Sequence, residues 1–145
     1  MGTKRPTVGG IREKRLHRRK LRLARAMGVA QEAILQCGED ASEKAITAAA
    51  KVKAKALCGN PILIMIVIQL IPILVKIFFS SSSEAQFASR CDRLTSEVCQ
   101  RLADVHTAQE CKAMAQAVGA DPSDWMRAMA LILNILADIF DWFDE

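Results

Sequence analysis

Apolar positions along this chain fall into narrow helical stripes, one nearly unbroken run, and a last segment that is apolar around most of its circumference. Leu16, Leu23, Met27, Ala30 and Ile34 are separated by 7, 4, 3 and 4 residues, which predicts a helix over 11–37 with one apolar stripe. Gly38 supplies the glycine that commonly follows a helix C-terminus. Asp40 with Glu43 reads as a capping box opening an Ala-rich helix to about residue 58, with Lys51, Lys53 and Lys55 near the negative end of its dipole. Gly59-Asn60-Pro61 then breaks the chain.

Residues 61–79 contain only Gln69 and Lys76 as strongly polar side chains. As a helix such a run is about 28 Å long, close to the ~30 Å of a bilayer's hydrocarbon. Ile62, Ile64, Ile66 and Ile68 alternate in a way a buried strand also would, but no partner strand is legible elsewhere, and an unpaired strand leaves its backbone unsatisfied. A helix is therefore predicted, kinked at Pro72, with Lys76 snorkelling and Ser80 to Ser83 as a polar stop.

Beyond it, Phe87, Cys91, Leu94, Val98, Leu102 and Val105 step by 4, 3, 4, 4 and 3 and predict one amphipathic helix as far as Gly119. Asp121-Pro122 then reads as an N-cap followed by proline at the first helical position, opening a final helix over 125–143. Its strongly polar residues, Arg127, Asn134, Asp138 and Asp141, are spaced 7, 4 and 3 and share one stripe. Trp125 and Trp142 stand at its two ends, as interfacial anchors do.

The fold expected from these patterns is all-α and membrane-associated. It comprises a basic arm and amphipathic helix (1–37), an Ala/Lys-rich helix (38–60), a spanning helix (61–79), an amphipathic helix (80–120) and a second hydrophobic helix with an acidic end (121–145).

Charge sharpens this picture. Residues 1–60 hold fourteen Lys/Arg against five acids, whereas residues 61–145 hold six against eleven. Lys4, Arg5, Arg12, Lys14, Arg15, Arg18, Arg19, Lys20, Arg22 and Arg25 place ten cations within twenty-two residues. They repel one another unless an anion neutralises them, so the expected partner is a polyanion, either nucleic-acid phosphates or anionic lipid headgroups. No Phe, Tyr or Trp precedes Phe78, so the arm stacks on no bases and would bind phosphates without sequence preference. The Lys/Arg excess also predicts that the N-terminal side faces the cytoplasm or a particle interior. Residues 1–31 carry many arginines and only Glu13 as an acid, which keeps a mitochondrial membrane in view. The apolar run starts sixty residues in, unlike a cleavable secretory signal.

No chemistry-bearing signature accompanies these charges. The chain has no P-loop, no G-x-G-x-x-G and no C-x-x-C. Its five cysteines cannot all pair within the chain, and Cys99 and His106 sit about 10 Å apart along a continuous helix, too far for one zinc ion. No enzyme, cofactor or metal is expected. The leading reading is an oligomeric structural or assembly subunit, a virion protein for example, that ties a membrane to a polyanion through the basic arm. A pore lined by Arg127, Asn134, Asp138 and Asp141 is a second reading. A soluble nucleic-acid-binding protein with its apolar helices buried in an oligomer is a third.

Overall fold

The structure, a computed structural model, describes residues 8–57 and 59–139. These form α1 (Val8–Cys37), α2 (Glu43–Leu57), α3 (Pro61–Phe79), α4 (Glu84–Leu102), α5 (Ala108–Gly119) and α6 (Asp124–Asp138), with no strand among the described residues. The expectation of an all-helical chain holds.

Local chemistry sets each boundary. Gly38 takes φ +77° and donates to the Ile34 carbonyl (3.1 Å), ending α1 as expected. The cap of α2 is Ser42, whose hydroxyl accepts from the Ala45 amide at 3.1 Å, and this corrects the assignment to Asp40. Gly59 turns the chain at φ +61°, and Asn60 Oδ1 accepts from the Ile62 amide (3.0 Å) with Pro61 opening α3. In the serine run, Ser83 caps α4 through the Gln86 amide (3.0 Å), while Arg90 donates to the Ser80 carbonyl (3.1 Å). The last helix starts at Asp124 with Ser123 as its cap, while Asp121 closes a local turn by accepting from the Ser123 amide (2.8 Å). The proline therefore precedes the helix rather than opening it.

One element divides differently from expectation. The amphipathic stretch predicted as a single helix over 80–120 breaks after Leu102 and restarts at Ala108. Thr107 accepts from the Glu110 amide (3.1 Å), and the Glu110 carboxylate accepts from the His106 amide (2.7 Å). This variant of the capping box, in which Glu110 takes the amide just before the cap, starts a new helix against the run of apolar spacing.

The run 61–79 sits at the centre of the bundle. α3 packs against α1, α2, α4 and α6, while α5 and α6 pair as a hairpin and α4 bridges α1, α3 and α6. Leu63, Ile66, Val67, Leu70, Ile71, Ile73 and Leu74 are buried, each worth roughly 1.5–3 kcal/mol relative to exposure. Pro61, Met65, Gln69, Pro72, Lys76 and Phe79 are exposed. They recur every three or four positions, so the outward strip of α3 collects both of its polar side chains. Phe78 closes the end of the helix edge-on against Phe87 of α4, with ring centroids 5.1 Å apart.

By length and composition α3 is able to cross a membrane, and half of its most apolar window is buried inside the protein; it alone among the described residues meets that criterion. Of the second hydrophobic helix, expected over 125–143, residues 140–143 lie outside the described residues. α6 runs fifteen residues to Asp138, about 22 Å, and Met129, Ala130, Ile132, Leu133, Ile135, Leu136 and Ala137 pack inside the bundle while Leu131 stays exposed.

Candidate polyanion-binding face

α1 carries eight Lys/Arg against two acids. Leu23, Ala26, Met27, Ala30, Ala33 and Ile34 are buried, with Leu16 half-buried beside them. The apolar stripe read from the sequence is therefore consumed by packing against α2, α3 and α4. Opposite it, Lys14, Arg15, Arg18, Lys20 and Arg25 are exposed and Arg22 is half-buried. At about 100° per residue, Lys14, Arg25, Arg18, Arg22 and Arg15 fall within an arc of about 100°, and they extend about 16 Å along the axis. They form a one-sided ridge of positive charge. Lys20 lies off this ridge, on the far side of the exposed surface.

The ten cations expected at this site thus divide. Five of them are exposed on α1, and Arg22 lies half-buried among them with its Nη1 enclosed. Arg12 belongs to the helix, but its side chain lies outside the described residues, as do Lys4 and Arg5.

Arg19 departs from the expectation. It is 5% exposed, and its Nη1 donates to the Val105 carbonyl (3.3 Å) in the turn between α4 and α5. Burial pulls the pKa of this guanidinium below its ordinary value, and repulsion from Arg15 adds to the effect. Arg19 is a structural tie between α1 and the α4–α5 turn, and is withdrawn from the phosphate-binding set. Its position signalled this, because it follows Leu16 by three and precedes Leu23 by four on the apolar stripe.

α2 adds exposed cations that the sequence reading did not assign to the site. It packs against α1, and Lys53 Nζ reaches Glu32 of α1 at 3.8 Å. Lys44, Lys51 and Lys55 remain exposed. The hairpin of α1 and α2 therefore carries most of the chain's Lys/Arg, with Lys44, Lys51 and Lys55 available to an anion beside those of α1.

The polar stripe of the last helix lies on the outside of the bundle. Arg127, Asn134 and Asp138 are exposed, with Leu131 between them, and Asp141 falls outside the described residues. Asp138 pairs with Lys112 (3.2 Å) and Arg127 with Asp124 (3.8 Å). Both pairs are exposed and worth little. Among the described residues a single copy encloses no channel along this stripe.

Trp125, expected as an interfacial anchor, is half-buried and tied to α4 instead. Its Nε1 donates to Glu97 Oε2, and the Arg93 guanidinium lies 4.9 Å from its ring centroid while bonding Glu97 at 3.2 Å. Glu97 holds this cluster together by accepting from both Trp125 and Arg93. Trp142 lies outside the described residues.

Three of the described cysteines are shielded within the core, whereas Cys37 is half-buried. Cys91, Cys99 and Cys111 are buried, and Cys111 donates to the Leu133 carbonyl (3.1 Å). Burial pushes the thiols of Cys91 and Cys111 up to about 12, so both are inert at neutral pH. His106 is exposed, and no three His, Cys, Asp or Glu side chains converge as metal ligands among the described residues.

Comparison with protein-family models, curated proteins and solved structures finds no match to this chain.

Proposed function

We propose that this protein is a non-enzymatic polyanion-binding protein whose α1–α2 hairpin grips nucleic-acid phosphates. The observation that carries this reading is the division of labour on α1. A helix that inserts into a membrane surface lays its apolar face in lipid, and here that face is already packed against three other helices. What α1 presents outward is a ridge of cations with Leu21 as its large apolar side chain. Such a surface suits a line of phosphates better than a headgroup layer into which something apolar must dip. Phosphate contacts of this kind position a protein without reading bases. Any enclosure of the apolar helices by an oligomer then adds to a core the bundle already forms by itself.

The test is fluorescence anisotropy of the intact protein with a labelled duplex over a series of salt concentrations. The five-cation ridge predicts that log Kobs falls with log salt at a slope of roughly −4 to −5. Replacing Lys14, Arg18 and Arg25 by glutamine should flatten that slope by about 2.7, at about 0.9 per phosphate contact. Binding that ignores salt, or a triple variant that binds as tightly as the parent, removes the reading.

Membrane association is the second reading, and the outward strip of α3 favours it. Met65 and Phe79 are 49% and 60% exposed, with Pro72 between them, apolar positions that a bilayer would cover on a strip that also carries Gln69 and Lys76. Spanning by α3 would require the helices packed on its inner face to separate. Alkaline carbonate extraction distinguishes the two: a chain retained in the membrane pellet supports spanning, and release into the supernatant removes it.

A further inference from the structure

Where α3 and α6 lie side by side they leave a groove of about 290 Å³. Pro72, Ile73 and Ile77 of α3 and Ala128 and Leu131 of α6 form its apolar floor, and Lys76 and Arg127 also line it. Lys76 is one helical turn from Pro72, and Arg127 is one turn from Leu131, so both cationic heads extend from the two walls of a single trough. Ser80 and Asp124 complete the lining, so two cations face a single acid over the shared apolar floor and the groove keeps a net positive charge. The nearest compensation is weak: Asp124 meets Arg127 at 3.8 Å with both side chains largely in water, and no ion pair joins Lys76 to an acid among the described residues. The groove follows α3 from Pro72 to Ser80, about 12 Å. Its volume is at the lower end of small-molecule sites and too small for a two-chain lipid.

We propose that this groove binds a single-chain anionic amphiphile, a fatty acid of medium length, with its carboxylate between Lys76 and Arg127. Its alkyl chain lies along Pro72, Ile73, Ile77 and Leu131. This site is separate from the cationic ridge of α1 and does not depend on it. It also gives roles to two features the nucleic-acid reading leaves unused, the lysine near the end of the apolar helix and the arginine of the outer stripe on α6.

The experiment is isothermal titration calorimetry of the intact protein with laurate below its micellar range, beside dodecanol and butyrate. Laurate should bind one to one. Dodecanol, which keeps the chain and lacks the charge, should bind about ten- to a hundredfold more weakly, because a charge-assisted contact is worth about 1.5–3 kcal/mol. Butyrate, which keeps the charge and lacks the chain, should show no saturable heat. The double variant Lys76→Gln/Arg127→Gln changes only exposed positions and should keep its helicity by circular dichroism while losing laurate affinity about tenfold. Leu131→Asp should abolish binding by placing an anion in the floor. Equal affinity for laurate and dodecanol overturns the proposal, as does laurate binding undiminished in both variants. Binding to vesicles of anionic phospholipid without binding of monomeric laurate also overturns it, and would assign the face to a membrane surface.

Discussion

Leu70 and Met65 stand five residues apart on α3, both in the run that reads as hydrocarbon, and the bundle assigns them opposite fates. Leu70 is fully buried, whereas Met65 is 49% exposed on the outward strip. Leu70→Ala removes three carbons from a closed core and leaves a cavity, a change that costs about 2–5 kcal/mol. Met65→Ala removes side-chain atoms that water already half reaches, so less than half of a full burial term is lost, about 1 kcal/mol. Against a total stability of about 5–15 kcal/mol, the first change is severe and the second mild. Urea unfolding of each variant, followed by helical circular dichroism in detergent-free buffer, reads the difference as a shift of midpoint at constant slope. If α3 met only lipid, Leu70 and Met65 would be equivalent apolar positions. Equal costs for the two substitutions, or a requirement for detergent before either variant folds, would refute the packing assigned to α3.

Further outcomes follow from the caps and the thiols. Thr107→Ala should cost about 0.5–2 kcal/mol, because it removes the acceptor for the Glu110 amide, and Glu110→Ala should add to it through the His106 amide; neutrality of both in thermal melts would discard the capping box. With Cys37 and Cys58 replaced by serine, a thiol reagent at pH 8 should label the folded chain slowly and the urea-unfolded chain fast, since Cys91, Cys99 and Cys111 are buried. The thiols of Cys91 and Cys111 are raised from an ordinary value near 9 to about 12, so the unfolded state loses their protons first. Their contribution to stability is complete below pH 9 and declines as pH rises from 9 towards 12, by about 1.4 kcal/mol per pH unit for each thiol; denaturation midpoints that rise over that range would contradict the burial.

Much of the architecture was legible because it rests on local chemistry. The glycine at 38 and the Asn60-Pro61 pair mark boundaries that the structure keeps, and the Phe87-to-Leu102 stripe faces the core as its spacing requires. The break after Leu102 was also written in the chain, as Thr107 followed three residues later by Glu110, but an apolar spacing that carried on through Val105 concealed it. Arg19 was obscured by composition. Within a dense run of cations its place on the apolar stripe drew no notice, and only the tertiary approach of the Val105 carbonyl makes a buried guanidinium tolerable there.

The central run taught a different lesson. Its length and apolarity suit a bilayer and a bundle core equally well, and total hydrophobicity does not separate them. The separating signal is angular: Gln69 and Lys76, seven residues apart, share the one face that the other helices leave uncovered. The cationic site was half legible. Ten candidate residues on the arm were visible in the sequence, but which of them face outward, and that the lysines of α2 join them, depends on the packing of α1 against α2 and α3.

Hydrogen–deuterium exchange of the intact chain in detergent-free buffer, read over residues 61–79, tests the core role of α3 most directly. The bundle predicts that amides around Leu70 and Ile71 exchange only through global unfolding, among the slowest in the molecule. Exchange of those amides within seconds in water, with protection appearing only when lipid or detergent is added, would contradict it.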